Sequence, residues 1–390
     1  MFAPLWKSLR RGVRQLLSRR LFIIMMIIVP LGSTLFFISL MDKGLPLPVP
    51  ATVVDMDQST LSRKIIRQLA AGQAVEIVEQ NLSYHEALDK LKRGESFGFF
   101  YIPRDFQQKS LSGQQPTLSF FTNMSIYIPG TMSFKGFKTV AVTTQAGLVR
   151  STLVSAGVSE AQATTMIQPV DIRQNAIGNP WLNYTIYLTP SFISALLVLV
   201  IMLVTAYSVC GEIKWGTSVE WLETARGSML TAVIGKLAPQ TLIFTIVGIA
   251  IEAIMFKFNH FPVNNHMSHM ILAMILLVVA AQSWALIICE IVPNQRLSVT
   301  ICSLVGILTF SVAGFSFPVD QMYGGVGIFA YILPERYFFL IYVDQALNGI
   351  PIYFSRWYYI ALLIFPILSL SGLRRLRGRC VKPIVRTLNQ

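Results

Sequence analysis

The residues with chemical potential concentrate in one stretch, GEIKWGTSVEWLETARGSMLTAVIGK at 211–236. Glu212, Glu220 and Glu223 fall within it, interleaved with Trp215, Val219, Trp221 and Leu222. Two tryptophans and three acids in so short a segment favour a docking surface. The competing reading is a plain solvated turn. Gly216 interrupts the first turn, and Thr217 or Ser218 is placed to cap the helical turn after it. The segment is therefore expected to be a short, bent amphipathic piece.

Other candidate chemistry is thin. Asp55 and Asp57 lack the rest of a calcium-loop pattern, and no nearby histidine completes a transition-metal set. Helix capping explains them. His85, preceding Glu86 on a predicted helix, reads as a surface residue. The sequence holds no G-x-S-x-G elbow, no H-E-x-x-H pair and no G-x-x-x-x-G-K-[ST] phosphate loop. Gly235–Lys236 is not such a loop, because the preceding glycine spacing fails and Leu237 comes next. No catalytic residue, bound cofactor or metal is expected, and the chain should not hydrolyse ATP itself. Cys210, Cys289, Cys302 and Cys380 lack the short spacing of a zinc or redox pair, and none falls between 42 and 180. They read as inert thiols in or near apolar segments.

The elements that position these residues follow from composition. Of 390 residues, 53% are apolar and 13% charged, with a mean hydropathy of +0.57. Soluble domains carry roughly 25% charged residues. Disorder is excluded, and a soluble single domain is a poor fit. Residues 21–41 form an uncharged run long enough to cross a hydrocarbon core of about 30 Å. The run is too long for a secretory signal, and Asp42, Lys43 and Gly44 come after it, so it reads as a retained anchor. Pro30 predicts a kink in it, and Gly32 beside it permits close packing. Five further apolar stretches lie near 184–210, 233–256, 270–289, 297–317 and 357–373. The fold class expected is a mostly α-helical polytopic membrane protein with six transmembrane helices, both termini on one side.

The net charge of +13 invites a nucleic-acid reading, but the positions of the charges oppose it. Lys7, Arg10, Arg11, Arg14, Arg19 and Arg20 crowd residues 1–20 without an acid. Arg374, Arg375, Arg377, Arg379, Lys382 and Arg386 do the same in 374–390. Basic residues flanking spans stay cytoplasmic, so both tails are placed inside and residues 42–180 outside. Anionic lipids are the ordinary partner of such runs, and no DNA-reading element accompanies them. Trp6, Leu9, Val13, Leu16 and Leu17 recur at helical spacing among the arginines. Residues 1–20 thus read as an amphipathic helix that lies on the inner membrane surface or presses on a soluble partner; the two uses are compatible.

Residues 42–180 are long enough to fold as an α/β domain inserted between the first two spans. A Pro-rich stalk at Leu45–Pro50 leads to a strand at Ala51–Val54, Asp/Ser caps and a helix at Leu61–Leu69. A helix at Tyr84–Leu91, strands at Phe97–Ile102 and Thr117–Phe121, and helices near Ser133–Gly157 and Glu160–Ile167 complete the expectation.

Glu212, Gly216, Thr217, Glu220 and Leu222, spaced E-x-x-x-G-T and then E-x-L, resemble the signature of the type-2 ABC exporter permeases. Gly235–Lys236 is similar to the Gly-Lys pair opening that family's next span. The sequence departs at Thr224–Ala225, where Thr/Ser-Pro is commoner. VVDMDQSTLSRKI at 53–65, ALDKLKRGESFGFFYIPRDF at 87–106, Asn123 and LPERYFF at 333–339 resemble further family blocks. The resemblance covers nearly the whole chain. It implies that 211–228 is the loop coupling to a cytoplasmic ABC ATPase dimer, which uses ATP and Mg. Coupling candidates are Glu212, Gly216, Thr217, Glu220, Leu222 and Lys236. It further implies an interface role for residues 1–20, pairing with a second permease copy or paralogue, and an external re-entrant segment at 318–355. There, Gly324, Gly325, Gly327 and Pro334 fit a broken helix.

The expected function is a permease subunit moving an apolar or amphipathic substrate outward across a bacterial inner membrane. The large external insertion is similar to the drug- or lipophile-exporter branch, whose members can work with a periplasmic adaptor and an outer-membrane channel. Glu252, Glu290, Pro334, Glu335 and Arg336 are candidates for substrate contact or gating. The bland alternative satisfies Glu252 and Glu290 by water or a basic neighbour such as Lys257, and makes Glu335 and Arg336 structural. An ion-coupled secondary transporter, or a scaffold or receptor displaying the 42–180 domain, are the rival functions.

Overall fold

The computed structural model describes residues 2–45, 47–169, 177–180 and 183–381. Lys382 and Arg386 of the basic tail, Pro46 of the stalk and residues 170–176 of the inserted segment lie outside them. The chain divides into two units: Leu45–Asn175, and Met1–Gly44 with Ala176–Gln390.

The larger unit opens with helix α1, Phe2–Ser18. Ser8, Gly12 and Leu16, one per turn, are buried, whereas Trp6 and Leu17 are exposed. Five of the six basic residues of the segment are exposed as well; Arg11 is turned inward. Six helices are long and apolar enough to cross a membrane: Arg20–Leu40, Tyr184–Lys214, Met229–Phe258, Met267–Ile291, Gln295–Val312 and Ile352–Val381, numbered spans 1 to 6. Span 2 is the most enclosed and packs against spans 1, 4 and 5, while span 4 also packs against spans 3 and 6. Their apolar side chains form one core.

Span 1 widens into a π-helical turn at Ile24–Ile28, just before Pro30. Proline offers no N–H and its ring crowds the preceding turn, so the hydrogen-bond register shifts there. A β-carbon on Gly32 would meet nothing within 4 Å among the described residues. The tight approach is between α1 and span 3. A β-carbon on Gly12 would lie 2.8 Å from the Gly235 carbonyl oxygen, and one on Gly235 would strike Ser8. Span 5 ends at Val312, short of the expected Phe317, and Gly314 turns the chain at φ 106°. Helices Gly324–Ala330 and Pro334–Asn348 then meet at 75°. The three glycines lie within the first of them, and the break falls at residues 331–333, where Pro334 starts the second. Span 6 ends in a basic helix, Leu373–Val381, that buries Leu373, Leu376 and Cys380 and exposes Arg374, Arg375, Arg377 and Arg379.

The smaller unit is a four-stranded sheet, β1 (Val49–Asp55), β2 (Val75–Gln80), β3 (Gly98–Ile102) and β4 (Ser119–Thr122), in the order β2-β1-β3-β4. β1 runs parallel to β2 and β3, and β4 is antiparallel to β3, with Phe100 opposite Phe120. The sequence pattern does not predict strand β2 or helix α4 (Phe106–Leu111). VEIVEQ is an edge strand with one buried residue, so its pattern is mostly polar. Helices α2 (Thr60–Ala71), α3 (Tyr84–Arg93), α4 and α5 (Tyr127–Ser155) pack around the sheet, and α6 (Glu160–Ile167) packs on α5. Residues of α2, α4 and α5 form the core of one sheet face, and Ala87 and Leu91 of α3 that of the other.

Caps set several boundaries. Ser59, not an aspartate, caps α2 by accepting from Ser62 N–H. Asp55 accepts from the Asp57 and Gln58 amides and from Ser62 Oγ, while Asp57 accepts from Gln107 N–H at the start of α4. Ser83 and Glu86 form a capping box at α3, beside an exposed His85. Hydrogen bonds donated by the Ser83 amide and hydroxyl hold the Glu86 carboxyl below its ordinary range.

The α1–span 3 approach generates a prediction. Gly12→Val should displace α1 without unfolding the spans, because the obstructing atoms are backbone rather than flexible side chain. Trypsin cleavage after Arg10 or Arg14 in the purified protein should rise several-fold; unchanged cleavage would contradict the packing.

Candidate functional site

The C-terminal end of span 2 explains the spacing of the 212–222 residues. Gly216 is left-handed at φ 68°. Its amide donates to the Ile213 carbonyl, and the Thr217 amide donates to the Glu212 carbonyl at 2.9 Å. This pairing is a Schellman motif, and the residue after the cap must adopt positive φ, which glycine does without strain. The reversal folds Thr217 back over Glu212, and its hydroxyl donates to Glu212 Oε2. Thr217 therefore does not cap the next helix, α7 (Ser218–Thr224), as the sequence suggested; no side-chain cap forms there. Ser218 instead donates to the Cys380 carbonyl at 2.9 Å.

Glu212 is 1% exposed and holds the site together. Lys236 Nζ, 2% exposed on span 3, donates to Glu212 Oε1 at 2.5 Å and to Gln15 Oε1 at 2.6 Å. Arg11 Nη2 donates to Glu212 Oε2 at 3.1 Å and to the Thr217 carbonyl at 3.4 Å, and lies 3.7 Å from Glu220. The Lys236 ammonium also sits 5.0 Å from the Trp221 ring, whose Nε1–H donates to the Ala232 carbonyl. One carboxylate thus gathers cations from α1 and span 3 and a hydroxyl from the loop. Taking such ions out of water costs several kcal/mol each, which only dense pairing offsets.

The structure separates residues that the sequence grouped. Glu212, Trp221 and Leu222 are buried and cannot form a docking face. Trp215, Val219, Glu220 and Glu223 are exposed. The Arg19 and Lys214 cations lie 5.6 and 5.0 Å from the exposed Trp215 ring. Arg11 and Gln15 were missed as site residues, since a basic residue near a span end has a ready topological explanation. Their signal was positional: they share one side of α1 with Ser8 and Gly12, whose small size marks a packed face.

The membrane candidates stay apart from this cluster and from one another. Glu252 is 0% exposed, and neither of its carboxylate oxygens has a hydrogen-bond partner among the described residues. Lys257, expected as a neutralising neighbour, is exposed on the π-helical end of span 3 and forms no ion pair with it. Glu290 is buried against Gly372, with Oε1 unpartnered among the described residues. Glu335 is 0% exposed and accepts from Ser194 Oγ at 2.5 Å through Oε1, leaving Oε2 unpartnered among them. Pro334 begins that helix, and Arg336 stacks 4.7 Å from the Tyr331 ring. Among the described residues no group of three or more His, Cys, Asp or Glu could hold a metal ion, and the four cysteines are buried and free.

A family model described as ABC-2 family transporter protein matches residues 20–373. The linearmycin resistance permease protein LnrN of Bacillus subtilis (strain 168) is 35% identical over 97 residues, 25% of each chain. The chain spans about a quarter of the length of that curated relative.

The ion cluster makes an asymmetric prediction. Lys236→Met leaves a buried carboxylate without its main partner and should destabilise the protein by about 3–5 kcal/mol. The double variant Glu212→Gln/Lys236→Met, which removes both charges, should be distinctly more stable than the single one. Denaturant titration of the detergent-purified protein checks this; equal losses would show that the charges do not interact.

Proposed function

The chain belongs to the ABC-2 family of transporter proteins and is a multi-pass membrane permease, and from that premise we propose that it is the membrane subunit of an ATP-driven exporter. In this reading a separate ABC ATPase dimer, carrying ATP and Mg, docks at the end of the bundle formed by α1, α7 and Leu373–Val381. Both termini face the cytoplasm of a bacterial inner membrane, as the exposed arginines of both terminal segments favour. A second permease copy or a paralogue completes the transporter. The inserted domain, placed outside, guides cargo or meets a periplasmic adaptor leading to an outer-membrane channel.

The observation that carries this reading is the attachment of an exposed patch to buried ions. Trp215, Val219, Glu220 and Glu223 face outward, while Glu212 a few residues away is fastened to span 3 through Lys236 and to α1 through Arg11. A push on the patch reaches two spans and the N-terminal helix together. Energy is transmitted only if the two membrane states bind cargo differently. Glu252 and Glu335, buried with oxygens unpartnered among the described residues, are the candidates for sensing that difference, with Pro334 and Arg336 at the break beside the latter.

The cargo proposed is apolar or amphipathic, because the spans present no continuous charged track. The relative's role as a resistance permease supports efflux of a harmful compound.

Charge reversal at Glu220, with Glu223→Lys added, should abolish cargo-stimulated ATP hydrolysis in the co-purified complex. Insertion and folding should be retained, since both side chains are exposed. Normal coupled hydrolysis in this variant would sink the docking role. Cargo movement driven by an ion gradient without any ATPase would favour a secondary transporter instead.

A further inference from the structure

We propose that an anionic phospholipid seats against spans 3, 4 and 6, with an acyl chain in the groove between them and its phosphate at Arg374 and Arg377. The proposal rests on these helices crossing a bilayer and is independent of the export reading.

The groove has a volume of about 610 Å³. Span 3 contributes Leu230, Ile234, Leu237, Thr241 and Thr245 to it, one continuous helix face. From Leu230 to Thr245 the rise is about 22 Å, more than the roughly 15 Å of hydrocarbon in one leaflet. Val279 and Leu286 of span 4 and Ile367 and Leu370 of span 6 form the other walls. Leu373 closes the lining and begins the basic helix that packs on span 3.

None of the lining residues is charged, and the exposed ones are all Leu or Ile. The hydroxyls of Thr241, Ser283 and Ser369 are already committed. Thr241 donates to Gln282 Oε1 at 2.6 Å, and the two serines donate to the Val279 and Pro366 carbonyls of their own helices. The groove therefore offers hydrocarbon contact along most of its length.

The end of the groove identifies its occupant. Arg374 and Arg377 follow Leu370 and Leu373 by four residues each and continue the same helix face, while Arg375 and Arg379 fall on the other side. Arg374 and Arg377 are exposed, and neither forms an ion pair among the described residues. The Arg377 guanidinium reaches toward span 3: its Nη2 lies 3.8 Å from where a β-carbon on Gly227 would sit, and Gly227 directly precedes the cap Ser228. The positive end of the span 3 dipole is at the same place. Glu290 faces Gly372, on the opposite side of span 6 from the two arginines. Arginines placed for topology alone need no such sidedness. A phosphate held where the apolar groove meets two guanidinium groups satisfies both features. A zwitterionic headgroup would bring its own cation among the arginines, and free phosphate would leave the groove unfilled.

The test uses the full-length permease in lipid nanodiscs carrying a trace of phosphatidylglycerol or phosphatidylcholine, each with a diazirine in one acyl chain. Phosphatidylglycerol should label 230–245 and 366–373 about fivefold more than phosphatidylcholine does. Span 5, where Leu304 and Ile307 are exposed, should be labelled alike by both. Arg374→Gln/Arg377→Gln should remove the preference. Arg10→Gln/Arg14→Gln, an equal loss of exposed charge elsewhere, should keep it. Ala238→Trp, which fills the groove from span 3, should remove labelling of 366–373 and leave that of span 5 intact. Equal labelling by the two lipids, a preference lost equally in both arginine pairs, or labelling of 366–373 indifferent to Ala238→Trp would overturn the proposal. So would a groove left unlabelled beside a labelled span 5, as a covering protein helix would leave it. No ATPase is needed, so failure here leaves the coupling experiment untouched.

Discussion

A carboxylate buried at the end of a membrane helix must be paired, and the pairing of Glu212 organises everything around it. Its two oxygens accept from Lys236, Arg11 and Thr217, which belong to span 3, α1 and the loop after span 2. Together these contacts offset the cost of holding Glu212 and Lys236 out of water. The Schellman turn at Gly216 returns Thr217 to the carboxylate. The absence of side chains at Gly12 and Gly235 lets α1 come near enough for Arg11 to reach the carboxylate and for Gln15 to accept from Lys236. Backbone geometry and electrostatics therefore depend on each other at this point. Loosening α1 would cost Glu212 its Arg11 partner, and neutralising Glu212 would weaken the hold on α1.

Around this cluster the molecule divides its labour. The exposed patch of Trp215, Val219, Glu220 and Glu223 is free to meet a partner because the buried residues of the same segment carry the anchoring. Elsewhere, Glu252 of span 3 and Glu335 of the helix that Pro334 begins are buried with oxygens unpartnered among the described residues, and such groups are costly to keep. The paired acid transmits movement in this account, and the incompletely paired ones respond to it.

Much of the architecture was legible because the bilayer imposes a coarse rule. A helix crossing about 30 Å of hydrocarbon needs a long apolar run, and six such runs coincide with the six helices found. β1 and β3 were legible for a similar reason, being buried and rich in β-branched or aromatic residues. β2 was not, since an edge strand exposing Glu76 and Glu79 carries no strong alternation. The spacing of the loop residues does not record the direction each side chain faces. Trp215 and Trp221 have the same chemistry in the sequence, yet the turn at Gly216 leaves one exposed and buries the other. Arg11 was illegible as a partner because Glu212 lies 201 residues away and a tail arginine already has a topological role.

If Glu212 joins α1, the loop and span 3 into one lever, these parts must move as a single body when nucleotide closes the ATPase. Spin labels at the exposed residues Val13 and Arg226, and a second pair at Val13 and Tyr323, can follow this by pulsed electron resonance in the assembled complex. The account predicts that the Val13–Arg226 distance is the same with and without ATP while the Val13–Tyr323 distance changes. A Val13–Arg226 distance that changes with nucleotide would contradict it, because α1 and the loop would then move independently.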